Sequence, residues 1–241
     1  MNYLKYYIIL FLLLTTVSYG QTADEIVSKN LQARGGKSMF KDLKSMKFKA
    51  TLNTMGSQII MEVFVVYPEK LWVELKNPLG ETVVSVFDGK KGWVIKGREA
   101  KPFPEGAYAL LRAQIDAQIG FFYKNLYNYK KRKYSAELAG DDNTRNMPVT
   151  KLKITEPNGT EWLVYYEKNR FFDVRYDLIK DINGKTQNSS FHCKNFIPAG
   201  SFYFPSGADI YTNKAQSGSV TFSDIVINPK PVKSMFKLPK K

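Results

Sequence analysis

The sequence has very little of the two residues that most often bind metals or carry covalent catalysis. Cysteine occurs once, as Cys193, and histidine occurs once, as His192. A single cysteine cannot form a disulfide within the chain, so packing alone must hold the fold together, even in an oxidising compartment. A single histidine excludes a histidine-rich metal cluster and leaves at most one imidazole base for nucleophilic catalysis. We therefore expect neither a metal nor another cofactor.

Common enzyme signatures are also missing. The chain contains no Gly-x-Gly-x-x-Gly, no Gly-x-x-x-x-Gly-Lys and no His-Glu-x-x-His. His192 and Cys193 are neighbours on a predicted strand, where adjacent side chains point to opposite faces, so they cannot form a local thiol-imidazole dyad. Paired carboxylates for glycoside hydrolysis stay open, although solvated strand faces explain them better. These carboxylates are Glu74, Glu81, Asp173 and Asp177. We expect that the protein is not an enzyme.

A long apolar run occurs only at the N-terminus. Lys5 opens a short basic region, and an unbroken apolar stretch runs over 6–14. Ser18 and Gly20, on either side of Tyr19, then supply small residues where signal peptidase needs them. The stretch is shorter than the roughly 20 apolar residues of a spanning helix. We predict that residues 1–20 are a cleavable signal peptide and that 21–241 form one periplasmic domain. Because Gln21 rather than cysteine follows the cleavage point, we expect no lipid modification there.

The sequence of the mature chain predicts mainly antiparallel strands. Thr22 and Glu25 form a capping box before an amphipathic helix, which Gly35 and Gly36 end. Alternating apolar and polar residues then predict about a dozen strands separated by turn signals, including one turn at 141–143. The predicted strands are 46–53, 58–67, 71–76, 82–87, 93–96, 134–138, 149–155, 161–167, 171–181, 186–196, 201–204, 209–212 and 219–227.

A helix is predicted midway through the sheet, over 104–120. Its apolar residues recur at helical spacing: Tyr108, Leu111, Ile115 and Ile119. Phe122, just after the helix, adds a further apolar side chain. Several strands, such as 59–66, are apolar on both faces, so each face needs a cover. A strongly curved sheet with a cavity on one face, closed by helices as a lid, satisfies this requirement. We predict an incomplete, unclosed antiparallel β-barrel with lid helices.

The chain carries a formal net charge of +14. That charge suits anionic membrane surfaces or acidic partners, while export argues against nucleic acid. Four consecutive cations could dock on phospholipid head groups or on an acidic protein. These are Lys130, Lys131, Arg132 and Lys133. Because charge clusters commonly lie on solvated faces, a solubilising surface is the favoured interpretation of this patch, and docking is the alternative.

Several short stretches follow one another in the order strand, proline turn, strand and tryptophan strand. They are 67–72 (Tyr-Pro-Glu-Lys-Leu-Trp), 83–90 with its Asp-Gly-Lys end, and Trp93. This order resembles that of the LolA family of lipoprotein carriers. The closing stretches 222–225 and 235–239 are similar to LolA C-terminal ends. The family commonly has arginine before the proline turn, where this chain has Tyr67. Leu71 matches the family's cavity aromatic, with Trp72 beside it, and the sequence leaves open which of the two faces inward.

The resemblance implies a periplasmic carrier that holds the acyl chains of lipoproteins in a hydrophobic cavity. It further implies delivery from an inner-membrane ABC transporter to an outer-membrane receptor, without catalysis, and we expect a monomer. The cavity and lid residues that follow are Tyr67, Leu71, Trp72, Trp93, Tyr108, Leu111, Ile115, Ile119 and Phe122. Two alternatives remain: a lipid- or glycolipid-binding module that senses envelope state, and an exported hydrolase, which the missing nucleophile and base disfavour.

Overall fold

A computed structural model describes residues 21–54, 56–68, 70–77, 79–103, 126–157, 159–182 and 185–237. The predicted signal peptide and the predicted midway helix lie outside these ranges. Within them, helix α1 (Ala23–Ala33) begins at the predicted capping box: Thr22 accepts a hydrogen bond from the Glu25 amide, and the Glu25 side chain accepts one from the Thr22 amide. Helix α2 (Lys37–Asp42) and two 3-10 helices (Tyr129–Arg132 and Lys233–Phe236) complete the described helices. None of these is long and apolar enough to cross a membrane.

The described residues form fifteen strands, all paired antiparallel. They are β1 (Ser45–Thr54), β2 (Ser57–Val66), β3 (Lys70–Lys76), β4 (Thr82–Phe87), β5 (Gly92–Lys96), β6 (Glu99–Pro102), β7 (Ser135–Thr144), β8 (Met147–Thr155), β9 (Glu161–Glu167), β10 (Asp173–Ile182), β11 (Lys185–Cys193), β12 (Phe196–Ala199), β13 (Phe202–Pro205), β14 (Gly207–Thr212) and β15 (Ala215–Ile227).

Thirteen strands form one sheet, in the order β6-β5-β4-β3-β2-β1-β15-β14-β11-β10-β9-β8-β7, and β12 and β13 form a separate hairpin. The last strand pairs with the first, since Ala50 lies opposite Phe222. This pairing joins the two runs of consecutive strands into a single sheet. Strands β6 and β7 are its edges and do not pair with each other, which confirms the predicted unclosed antiparallel sheet.

Two strands were missed and one predicted turn was wrong. Strands β6 and β12 were not predicted, and the predicted turn at 141–143 lies inside β7, where Asp142 pairs with Val149. The chain instead reverses at Arg145 and Asn146, which have φ angles of 50° and 62°. Polar side chains suit an edge strand that faces water as well as they suit a turn, so composition could not distinguish the two structures.

One face of the sheet, here called the inner face, packs against helices α1 and α2. Ile26 and Leu31 of α1 and Phe40 of α2 are at most 3% exposed and belong to the same core as the sheet residues Phe48 and Phe222. The rings of Phe48, Phe204 and Phe222 lie 5.4–6.0 Å apart. Burial of each such side chain stabilises the fold by about 1.5–3 kcal/mol. The core therefore lies between the helices and the middle of the sheet.

The opposite face of β2–β5 has a smaller core of its own. Phe64, Val86 and Trp93 are at most 5% exposed there. The 3-10 helix near the C-terminus covers them, with the Phe236 ring 6.4 Å from that of Phe64. This second cover explains why β2 is apolar on both faces.

A buried ion pair fixes α1 to the far half of the sheet. Arg34 at the end of the helix donates to Asp173 of β10 at 3.0 Å, and both side chains are at most 1% exposed. Asn30 donates to the same carboxylate at 2.9 Å. The Arg34 guanidinium also lies over the ring of Phe196, 4.6 Å from its centroid. Helix α1 is therefore attached to the sheet by polar as well as apolar contacts.

Candidate functional site

The inner face of β1–β5 changes from buried to half-buried along the strands. Register assigns the face, because side chains of directly paired residues lie on the same side. Phe48, Val63 and Val73 lie side by side and are at most 5% exposed. Two residues further along, Met61 lies beside Leu75 and Leu75 beside Val83, and these three are only half-buried. The apolar surface thus continues past the part that the helices cover.

We call this half-buried region the inner apolar patch. It comprises Leu52, Met61, Leu75, Val83 and Val94. Leu52 and Met61 border the main core, whereas Leu75, Val83 and Val94 pack into none of the cores formed by the described residues. A contiguous apolar surface that is only partly covered is typical of a site for an apolar ligand or partner.

The predicted cavity residues divide between the two faces. Leu71 is fully buried in the main core and Tyr67 packs at its margin, so both belong to the inner face. Trp72 and Trp93 lie on the opposite face, beneath the C-terminal 3-10 helix. This placement answers the question that the sequence left open, because Leu71 faces inward and Trp72 outward. The remaining predicted residues lie outside the described part of the chain; they are Tyr108, Leu111, Ile115, Ile119 and Phe122.

The predicted basic patch coincides with the 3-10 helix Tyr129–Arg132 and the residue after it. Lys130, Lys131 and Arg132 belong to the 3-10 helix, and Lys133 follows it in the left-handed region with a φ of 62°. Lys130 and the Tyr129 hydroxyl both donate hydrogen bonds to the Asp24 carboxylate at the start of α1. The bond from Lys130, followed by that from Tyr129, lowers the pKa of Asp24. Part of the patch therefore attaches to α1 instead of being wholly solvated.

His192 and Cys193 lie on opposite faces, as strand alternation predicts. Cys193 is buried in the main core, and burial raises the pKa of its thiol. The His192 ring lies on the other face, 4.7 Å from the ring of Tyr211, and burial followed by the charge of Arg175 lowers its pKa to about 4. A protonated thiol and an imidazole on the far side of the sheet cannot act together as nucleophile and base.

The candidate carboxylates have cationic partners. Asp173 binds Arg34 as described, Asp177 accepts two hydrogen bonds from Arg175 at 2.8 and 2.7 Å, and Glu81 binds Lys96 at 3.1 Å. Glu74 lies 3.6 Å from Lys76. Structural ion pairs thus account for them. Within the described ranges, no group of three or more histidine, cysteine or acidic residues is placed to hold a metal.

Solved structures with the same arrangement identify the fold. A LolA superfamily protein from Nitrosomonas europaea superposes with a TM-score of 0.59 at 14% identity, covering 90% of this chain and 99% of that one. The chain has a LolA-like fold. A DUF1329 family protein from Desulfovibrio piger gives a TM-score of 0.56 at 10% identity, covering 90% and 98%. A domain from Vibrio parahaemolyticus named for outer membrane lipoprotein sorting gives 0.54 at 12% identity, covering 89% and 95%.

No protein-family model and no curated protein matches the sequence. The LolA-like fold is therefore visible in the three-dimensional arrangement, while the sequence keeps only short motifs of it. None of the five residues of the inner apolar patch was among the predicted site residues. Their apolar alternation was visible, but the face on which they lie depends on strand register.

Proposed function

We propose that this protein is an exported periplasmic carrier that binds acyl chains on the inner face of its LolA-like sheet. The inner apolar patch carries the proposal. Its side chains continue the core surface in register, yet the helices that cover the rest of that face leave them half-buried. A flexible hydrocarbon chain suits such a surface because the contact requires no directional bonds.

The expected affinity follows from the area that a ligand would bury. Each methylene removed from water contributes about 0.8 kcal/mol. A chain of about 16 carbons that buries half of its methylenes would gain roughly 6 kcal/mol before the costs of association. A second chain on the same molecule would add to this without a second full association cost. Diacylated molecules are therefore better ligands than single free fatty acids.

We further propose that the cargo is a lipoprotein carried toward the outer membrane, taken from an inner-membrane ABC transporter and passed to an outer-membrane receptor by a monomeric carrier. The fold shared with the Vibrio parahaemolyticus domain supports this choice among lipids. Tyr67, at the position of the family's arginine, packs at the edge of the main core, so apolar contacts near the proline turn would contribute to closure.

Native mass spectrometry of the protein purified from its own cell envelope tests this proposal. We expect an adduct that organic solvent extracts and that contains acyl chains. A titration with a fluorescent diacylated lipopeptide of uncharged sequence provides the direct binding measurement. A protein that purifies without acylated ligand and also fails to bind the lipopeptide would refute the carrier function.

A further inference from the structure

A cavity lies between helix α1 and residues 126–131, apart from the inner apolar patch. Its volume is about 440 Å³, within the range of small-molecule sites. We call it the helix pocket. Three apolar side chains of the main core, Val27, Leu31 and Leu126, form its floor, and each is at most 3% exposed. The bottom of the pocket is therefore hydrocarbon.

The rim of the helix pocket is cationic. Lys37 at the start of α2 and Lys130 and Lys131 of the 3-10 helix line it, together with one carboxylate, Asp24. Asp24 already accepts hydrogen bonds from Lys130 and Tyr129. Lys37 and Lys131 are exposed and form no ion pair with any described residue. Two ammonium groups thus remain available to an anion at the mouth of the pocket.

A hydrocarbon floor below two available cations is complementary to an anionic amphiphile. An inorganic anion would leave the apolar floor unused, and a neutral hydrocarbon would leave the ammonium groups without a partner. We propose that the helix pocket is a binding site for a single-chain anionic amphiphile, with its phosphate or carboxylate at Lys37 and Lys131 and its apolar stem on Val27, Leu31 and Leu126. This proposal rests on the carrier function only in assuming that the protein meets acyl chains. The preference for an anionic headgroup does not follow from that function.

Paired lysolipids test the headgroup preference. Lysophosphatidylglycerol is anionic and lysophosphatidylcholine is zwitterionic, and the two can carry the same acyl chain. We expect the full-length mature protein to bind the anionic lipid more tightly below its micelle concentration. Lys37→Gln combined with Lys131→Gln should weaken that binding about fivefold to thirtyfold, since each exposed ionic contact contributes about 0.5–1 kcal/mol. Affinity for lysophosphatidylcholine should change less than about twofold.

A charge-matched control is available on the β4–β5 hairpin. Lys90→Gln combined with Lys91→Gln removes the same charge from exposed positions outside the pocket, and it should leave both affinities unchanged. Equal losses in the two double variants would mean that net charge alone attracts the lipid, which overturns the proposal. Ser28→Phe fills the pocket from α1, where Ser28 is half-buried, and should abolish the headgroup preference without removing a core side chain.

Inorganic phosphate separates the headgroup from a free anion. If millimolar phosphate displaces lysophosphatidylglycerol completely and binds with the same dependence on Lys37 and Lys131, the site recognises the free anion and the amphiphile assignment is wrong. If the uncharged lipopeptide still binds while neither lysolipid is preferred, the helix pocket proposal fails and the carrier function stands. If the unmodified protein fails to bind the lipopeptide and also purifies without an acylated ligand, the carrier function is refuted, whatever the lysolipids show.

Discussion

Replacing Arg34 by methionine removes the cation from the buried ion pair that attaches α1 to β10. The Asp173 carboxylate, 1% exposed, would then remain in the core without this guanidinium, while the Asn30 amide still donates to it at 2.9 Å. Removal of one partner of a buried pair typically costs about 3–5 kcal/mol. Methionine retains part of the apolar contact with Phe196 and Phe202. We therefore expect the free energy of unfolding to fall by about 3–5 kcal/mol, a large share of a stability of about 5–15 kcal/mol.

Urea denaturation followed by circular dichroism measures this loss. Arg170→Met is the control, because Arg170 pairs with Glu167 at 2.9 Å but its side chain is 64% exposed; an exposed pair contributes at most about 1 kcal/mol. Asp173→Asn in the Arg34→Met background should recover part of the loss, since it removes the buried negative charge. An Arg34→Met variant that is destabilised by less than 1 kcal/mol would show that this ion pair does not hold the helix to the sheet.

Three further results are expected. The pKa of His192 is about 4 in the folded protein, against an ordinary value of 6.5, so only the unfolded chain takes up a proton between these values. The free energy of unfolding should therefore fall as the pH drops from 6.5 to 4, and His192→Ala should lessen that fall in denaturation curves. Phe236→Ala uncovers the core of Phe64 and Trp93 and should cost roughly 3 kcal/mol with a red shift of tryptophan fluorescence, whereas Val232→Ala, at a 60% exposed position, should change neither. N-terminal sequencing of the exported protein should begin at Gln21, and a stable form that retains Met1 would contradict the signal-peptide prediction.

Features that depend on neighbouring residues could be predicted from the sequence. The capping box needs only Thr22 and Glu25 at the right spacing, and the alternation in β1 and β9 reports burial on one side of a strand. Strand β6 escaped prediction because it is short, with exposed charged residues such as Glu99 and Lys101 at the sheet edge. Its strand character depends on pairing with β5, which no local pattern reports.

Features that depend on distant residues could not be predicted. Arg34 and Asp173 are separated by 139 positions, and only the packing of α1 on β10 brings them together. The faces of Leu71 and Trp72 illustrate the same limit. Alternation places them on opposite sides, but the pairing of Leu71 with Val65 and Phe87 decides which side is inner. The predicted site residues therefore lie on both faces of the sheet, and the inner apolar patch can be recognised only from the strand register.

The central claim is that acyl chains bind on the inner face, and two adjacent residues of β2 test it most directly. Met61 belongs to the inner apolar patch, whereas Ile60 is 42% exposed on the opposite face of the same strand. Met61→Glu and Ile60→Glu introduce the same charge one residue apart. Fluorescence titration with the uncharged diacylated lipopeptide, on variants first shown to be folded by thermal melting, compares them. If Met61→Glu is too unstable, Val83→Thr makes the same patch more polar with almost no change in shape.

We predict that Met61→Glu weakens lipopeptide binding at least about tenfold, because two methylenes that the carboxylate keeps in water cost about 1.6 kcal/mol of apolar contact, and about 1.4 kcal/mol already corresponds to a tenfold change in affinity. Ile60→Glu should bind as the unmodified protein does. Unchanged affinity in folded Met61→Glu and Val83→Thr, or an equal loss in Ile60→Glu, would contradict the assignment of the acyl-binding site to the inner face.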